Sequence, residues 1–384
     1  MIIEIRKAGF VNKGAELMLY AVLEKMRERH PDARFAMVPG HSQSSAPFAK
    51  RAELGFLQKA ALWRYRIQWG GFAAFAPQRL RDKFGVVLDK EIDIVIDAAG
   101  FSYSDQWGVS SSLELADSCK RWKKNGTKVI LMPQAFGPFT MPKIKKAIQV
   151  AADHADLIFA RERISYEHLI GVTGERSNIK MAPDFTNLIG GFLPDDFDQN
   201  CCRFCLVPNY RMIDKTSKEQ SEAYLPFMIR CAKYLQEKEQ QPFILVHEGA
   251  NDLMLAEKIR DAVGGDLPIV REDHPLKIKG ILGACEGTIG SRFHGLVSAL
   301  SQGVPSLATG WSHKYKMLFE DYGFGEGLMD VTMSENQIKE KIDLIIEPQS
   351  RDEIKKTISS KSEELKRLSE KMWEDVFGVL GRQT

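Results

Sequence analysis

The sequence predicts an α/β protein built as two Rossmann-like lobes with a C-terminal helical tail. Three observations carry this. Apolar bursts of strand length alternate with helix-period segments almost throughout, the rhythm of a parallel sheet covered on both faces. The rhythm breaks once, in NLIGGFLPDDFDQNCC at Asn187–Cys202, and then restarts. The length of 384 residues exceeds one ordinary core.

The elements follow in order. IIEIRKAG reads as a strand and KGAELMLYAVLEKMRERH as an amphipathic helix. RFAMV and DIVIDAAG are strands, and SLELADSCKRWKKNG is a helix. KVILMPQ, LIFAR and NIKMAPD are further strands, with KIKKAIQVAADH among the helices between them. Beyond the break, RFCLVPN, PFILVHE, LPIVRE, GTIGS and PSLAT are strands. SEAYLPFMIRCAKYLQEK, DLMLAEKIRDAV, PLKIKGILGA and FHGLVSALSQ are the helices between them. Ser334 to about Phe377 reads as two long charged helices. The boundaries expected are a first lobe over 1–190, a linker over 191–202, a second lobe over 203–333 and a tail over 334–384. Such a tail is expected to cross back and brace the first lobe.

The totals exclude several classes. Hydrophobic residues are 44% and charged ones 27%, a soluble globular balance. A formal net charge of +2 gives no reason to expect nucleic acid. No apolar run approaches the ~20 residues that span a bilayer. MIIEIRKAGFVNKG carries an acid and a base within its first apolar run, which fits a strand rather than a signal peptide. The cluster CCRFC has the look of a metal knuckle but lacks a second ligand pair, so no metal is expected. Buried, reduced thiols in a cytoplasmic protein are the preferred reading.

In open α/β sheets, ligands bind beyond the carboxyl ends of the strands, and the cleft between two lobes is the default site. The first strand ends in AGFVNKGAEL, which leaves Asn12, Gly14 and Glu16 as candidate substrate contacts; the alternative is a helix cap at Asn12 and a dipole partner at Glu16. The run is not GxGxxG, and MVPG, the second strand end, has no ribose-binding acid, so a dinucleotide is disfavoured. In VIDAAGFSYSDQWG, Asp105 and Gln106 sit beside Trp107, a set that suits a sugar; the alternative is that Ser102 and Asp105 close turns. Gln134 follows another strand. Arg161 ends the strand of FARERIS, with Arg163 two residues on; one should face the cleft and the other solvent. Asn209 and Arg211 end a strand of the second lobe, and His247 and Glu248 end the next. In GSRFHG, Ser291, Arg292, Phe293, His294 and Gly295 begin a helix, placing a fixed positive charge and a group titrating near neutrality beside free amides. Arg161 and Arg292, from different lobes, suit a small dianion. A capping Ser291 and a packed His294 are the structural alternative.

The chain resembles the polysaccharide pyruvyl transferase family, through GFVNKGAEL, PQAFGPF, RERIS, MAPDF and above all GSRFHGLVSALSQGVPSLA, in order across roughly Gly9 to Gly323. The resemblance implies a GT-B-like, two-lobed glycosyltransferase-type fold. It also implies transfer of the enolpyruvyl unit of phosphoenolpyruvate onto two hydroxyls of a sugar in a surface-polysaccharide precursor. Phosphoenolpyruvate is then the donor substrate, with no cofactor and no metal. Arg161, Arg292 and His294 carry over as the catalytic set. Ser291, Phe293, Gly295, Asn209, Arg211 and His247 are taken as the donor side, and Asn12, Gly14, Glu16, Asp105, Gln106 and Gln134 as the acceptor side. Asp105 or Glu16 is the candidate base. Two departures stand out: Gly14-Ala15-Glu16 replaces the Gly-Asp-Glu of many members, and GFSYSDQWG is more polar and aromatic than their glycine-rich run. The alternatives are a GT-B glycosyltransferase using a nucleotide sugar and a non-catalytic glycan-binding or assembly protein. The acceptor is read as a sugar or lipid-linked oligosaccharide, and homo-oligomerisation is left open.

Lys50–Phe84 holds eight Lys or Arg against two acids, with Trp63, Tyr65, Trp69, Phe72 and Phe75 interleaved. Its first reading is a helical excursion with solvated cations, although no clean two-faced split appears in helical register. The second is a peripheral membrane or acceptor-docking element at the inner face of the membrane.

Overall fold

The computed structural model describes residues 1–39, 48–310 and 312–381; Gly40, which closes the MVPG run, and the last three residues of the expected tail lie outside them. The chain forms two compact units, Met1–Phe185 with Leu368–Thr384, and Thr186–Arg367. Unit 1 contains β1 (Ile2–Arg6), β2 (Arg34–Met37), β3 (Leu57–Lys59), β4 (Trp63–Arg64), β5 (Ile67–Gln68), β6 (Val86–Val87), β7 (Ile94–Asp97), β8 (Phe101–Tyr103), β9 (Lys128–Phe136), β10 (Leu157–Ala160) and β11 (Ile179–Met181). Nine of these form one sheet in the order β11-β10-β9-β7-β1-β2-β3-β6, with β8 on β9, and every pairing is parallel. Unit 2 contains β12 (Phe204–Val207), β13 (Pro242–Val246), β14 (Ile269–Arg271), β15 (Gly287–Gly290) and β16 (Ser306–Ala308). They form a second all-parallel sheet, β14-β13-β12-β15-β16.

These strands are near-continuous apolar runs because both faces are covered by helices. All five residues of β1 are buried, and so are all four of β12. In unit 1, Leu115, Cys119 and Trp122 of the helix Val109–Lys124 pack into the same core as Val95, Val129 and Leu131.

Two charges in β1 survive burial because the register supplies partners. Arg6 lies opposite Asp97 of β7, and its Nε sits 2.9 Å from that carboxylate. Its Nη2 reaches Glu114 of the covering helix at 2.5 Å. Glu4 pairs with Lys59 of β3, which also meets Asp89 at 2.6 Å. Arg121 and the Trp122 indole close on the same Asp89, at 2.6 and 2.9 Å. A buried ion pair adds little net stability, but losing one partner strands a charge. These contacts therefore fix how the helix sits on the sheet.

The segment Lys50–Phe84 is not the helical excursion that its composition suggests. It runs as a short helix (Phe48–Glu53), β3, the antiparallel hairpin β4–β5, a 3-10 helix (Trp69–Phe75) and a second short helix (Gln78–Lys83). Gly55 at φ +76°, the Gly70-Gly71 pair and Pro77 interrupt any long helix, and β3 is drawn into the sheet between β2 and β6.

The segment expected as a linker packs within unit 2. Phe192 N–H donates to Leu276 O at 3.1 Å, and a Cβ on Gly191 would lie 2.4 Å from the Gly280 nitrogen. Only glycine lets these two backbones approach so closely. The tail is two helices, Glu335–Ile346 and Pro348–Leu380, the first opened by a capping box between Ser334 and Gln337. The long helix packs in unit 2 through Ile358 and Leu365, and Ser362 Oγ donates to Ser301 O at 2.8 Å. From Leu368 it belongs to unit 1, where Trp373 meets Phe185 edge-on and Asp375 pairs with Lys180 at 2.7 Å.

The unit 1 network makes stability depend on acid pH. Burial opposes the charge of Glu114, but Arg6 holds its carboxyl at about 2, below the ordinary 4.5. Burial likewise opposes Asp89, yet Lys59 and Arg121 hold it at about 2, below 3.8. Both values are depressed in the folded state, so the stabilisation is complete above the unfolded values and is lost as pH falls through the folded ones. The melting temperature should drop steeply from about pH 5 to about pH 2.5. Glu114→Gln should flatten that slope, and an unchanged slope would contradict the assignment.

Candidate functional site

In a parallel sheet every strand delivers its following loop to one edge. In unit 2 that edge gathers Asn209 two residues after β12, His247 and Glu248 directly after β13, and Ser291 and Arg292 directly after β15. Ser291 is fully buried and held from three sides. Its carbonyl accepts from Asn209 Nδ2 at 2.6 Å and from the Tyr315 hydroxyl at 2.9 Å, and its Oγ accepts from the Tyr224 hydroxyl at 2.9 Å. Ser291 is thus a structural node, and the helix Phe293–Leu300 begins just beyond it with Arg292 as its N-cap residue.

Arg292 is buried and its guanidinium is shared by two carboxylates. Nε takes Asp252 Oδ2 at 3.0 Å and Nη2 takes Oδ1 at 2.7 Å, a bidentate pair, and Nη1 takes Glu248. Asp252 is fully buried and also accepts from Tyr210 N–H at 3.0 Å. Burial works against the Arg292 charge, but Asp252 and Glu248 more than offset it and raise the guanidinium above its ordinary value. His294 follows, half-buried, its ring 5.4 Å from that of Phe293, which is itself edge-on to Tyr315 at 5.8 Å. A Cβ on Gly295 would lie 3.4 Å from Arg292 Cβ and 3.6 Å from His247 Cδ2, ordinary contact distances that place His247 beside the helix start. Arg211 does not join this cluster by its side chain, which is exposed and paired with Asp214 at 2.6 Å.

In unit 1, Arg161 is buried after β10 and pairs with Asp184 at 3.1 Å, while Arg163 is exposed. Gln134 is fully buried, and its amide nitrogen lies 3.3 Å from Asp97. Asn12 caps the helix Lys13–Arg29 by accepting from Ala15 N–H at 3.0 Å. Within that helix Gly14 is buried, and Glu16, fully buried, pairs with Lys13 at 2.9 Å and Lys50 at 3.1 Å. Asp105 accepts from Thr140 and Met141 N–H at 2.6 and 3.3 Å. Burial would raise its carboxyl, yet these bonds hold it below the usual range. Gln106 and Trp107 are exposed. A separate concavity of about 320 Å³ in the same unit is lined by Arg6, Lys7, Lys59, Trp63, Glu114 and Trp122.

Two of these features escape a reading of strand ends alone. Asp252, the main holder of Arg292, lies in the first turn of the helix Gly249–Ala262. Its signal is an acid four residues beyond the His247-Glu248 strand end. The signal for the concavity is Arg6, a charge inside an otherwise apolar strand.

The model of the family described as polysaccharide pyruvyl transferase matches residues 12–313. Among solved structures, UDP-GlcNAc 2-epimerase from Neisseria meningitidis bound to UDP-GlcNAc superposes with a TM-score of 0.60 at 10% identity, covering 98% of this chain and 99% of that one. The S. aureus MnaA–UDP structure gives 0.59 at 11% identity, covering 98% and 95%. Anabaena Alr3699/HepE in complex with UDP-glucose gives 0.57 at 13% identity, covering 98% of each chain. At these identities the likeness establishes the fold: GT-B-like, two-lobed and Rossmannoid, with a C-terminal helical extension.

The Arg292 cluster separates a structural role from a chemical one. Arg292→Ala leaves Asp252 buried without its cation and should cost about 3–5 kcal/mol of stability. His294→Ala removes a half-buried ring from the same turn and should cost about 1 kcal/mol or less. Urea unfolding of the two variants measures the difference, and equal losses would contradict it.

Proposed function

The chain belongs to the polysaccharide pyruvyl transferase family, and from that premise we propose that it moves the enolpyruvyl group of phosphoenolpyruvate onto two hydroxyls of a sugar in a surface-polysaccharide precursor. At a coarser level it is a GT-B-like enzyme of the transferase class that acts on a sugar. The observation that carries the finer reading is the unit 2 strand edge, where Arg292 and His294 flank the start of one helix. Arg292 offers an exchangeable place: Asp252 is fully buried and fixed by Tyr210, whereas Glu248 retains some exposure. A donor carboxylate or phosphate replaces Glu248 on Nη1, leaving the Asp252 fork intact. His294, as imidazolium, delivers a proton to the methylene carbon of phosphoenolpyruvate. The first sugar hydroxyl then adds at carbon 2 and loses its proton. The carbon–oxygen bond to phosphate breaks, and the second hydroxyl closes the cyclic ketal with loss of its own proton. The products are the pyruvate ketal and inorganic phosphate.

A second reading, a GT-B glycosyltransferase using a nucleotide sugar, is favoured by the structural neighbours, whose complexes contain UDP, UDP-glucose or UDP-GlcNAc. Asn209, His247 and Glu248 line the edge that such a ligand would occupy.

Ligand-dependent thermal shift separates them. Stabilisation by phosphoenolpyruvate, with phosphate release and the ketal mass appearing on a member of a sugar panel, is the expected result. His294→Ala should then retain donor binding and lose about 10²- to 10⁴-fold in turnover. Stabilisation by UDP or UDP-glucose without any response to phosphoenolpyruvate would replace the first reading with the second.

A further inference from the structure

The hairpin β4–β5 and the 3-10 helix after it form a display of aromatic and basic side chains that the reaction leaves unused. Residues 54–81 contain no acid, although the chain as a whole has 51. Nine of the seventeen exposed large apolar side chains among the described residues lie between Phe48 and Phe84. Three form a continuous ladder: Trp69 stacks on Phe72 at 5.8 Å, and Phe72 on Phe75 at 5.9 Å. Phe72 is 60% exposed and Phe75 84%. Trp69 Nε1–H donates to Arg64 O at 3.1 Å and Trp69 N–H to Leu62 O at 2.8 Å, so ladder and hairpin are one piece.

The hairpin sorts its side chains by face. Trp63 and Gln68, cross-strand partners, line the unit 1 concavity, while Arg64 and Ile67, the next pair, are exposed. The two turn residues, Tyr65 and Arg66, both have positive φ, 53° and 62°. Two-residue turns of this kind favour Asn and Gly; a tyrosine and an arginine there are strained. The strain puts an aromatic ring, 75% exposed, at the tip, with the Arg64 guanidinium 4.9 Å from it. Arg66 ties the tip to Asp117 on the helix below through a two-point contact at 2.6 and 3.1 Å. Arg64 and Arg79 are exposed and have no ion pair among the described residues.

We propose that this hairpin and aromatic ladder dock the protein peripherally on an anionic lipid surface. Basic side chains are drawn to anionic headgroups, and Trp, Tyr and Phe rings settle at the headgroup level with their apolar bodies in the acyl boundary. In a symmetric contact a second copy would set the same Arg64 and Arg79 against this patch, like charge facing like. No described helix is long and apolar enough to cross a membrane, so the contact is interfacial. Docking on this face sets the concavity behind Trp63 next to the lipid. The inference does not depend on which donor the unit 2 edge takes.

Vesicle flotation of the full chain tests it, with phosphatidylcholine alone against an equal mixture of phosphatidylcholine and phosphatidylglycerol. The wild type should float with the mixture at low salt, not with phosphatidylcholine alone, and be released by high salt. Trp69 emission should shift to shorter wavelength on binding. Joint replacement Tyr65→Ser, Phe72→Ser and Phe75→Ser should weaken binding at least about tenfold, and so should Arg64→Glu with Arg79→Glu. Circular dichroism checks that both variants fold, which the exposure of these side chains favours. The proposal is overturned if the wild type fails to float with the mixture, if it floats equally with phosphatidylcholine alone, or if folded variants float like the wild type. Self-association abolished by the triple replacement, without vesicle binding, would assign the patch to a second copy and also overturn it.

Discussion

Parallel strand pairing is the constraint on which the rest of this protein depends. Both main sheets are parallel throughout, so each strand must return through a crossover and each loop that follows a strand emerges at the same edge. Polar residues that would be costly inside a sheet buried on both faces collect there. The unit 2 edge is the clearest result, with Asn209, His247, Glu248, Ser291 and Arg292 all within two residues of a strand end. In unit 1 the same logic sets Asp97 at the end of β7 and Arg161 just after β10.

Burial then decides which charges are held most firmly. Asp252 is fully buried, so its bidentate hold on Arg292 is costly to break from either side. Glu248, on the other face of the same guanidinium, keeps contact with solvent. One arginine thus has a fully buried partner on one side and a partly exposed one on the other. The Ser291 node, bound by Asn209, Tyr224 and Tyr315, anchors the turn that presents Arg292 and His294. Unit 1 has a comparable arrangement: Arg6 sits between Asp97, Glu114 and the Trp122 ring.

Much of this was legible in the sequence because burial on both faces writes strands as apolar runs. IIEIR, DIVID, FCLV and GTIG are such runs, and each is a strand. The two tail helices were legible as long charged segments from Ser334 to about Phe377, and the structure adds the Ser334–Gln337 capping box that opens the first. What failed was short or half-exposed. β3 and β6, three and two residues long, carry too little pattern, and the pairing of β3 with β2 and of β6 with β3 is a tertiary matter. Around the hairpin, the absence of a two-faced helical split was itself the sign that no long helix forms. At the site, strand ends identified Asn209, His247 and the Ser291–Gly295 turn. They did not identify Asp252, because which acid meets Arg292 is set by the packing of a neighbouring helix. Nor could spacing tell that Arg211 would turn to solvent and pair with Asp214.

The central claim is that Asp252 holds Arg292 in place at the unit 2 edge. A double-mutant cycle of Arg292→Met and Asp252→Asn, read by urea unfolding, tests it most directly. Strong coupling is the predicted result, about 2 kcal/mol or more, with the double variant less destabilised than the two single losses summed. Additive losses within about 0.5 kcal/mol would contradict the account.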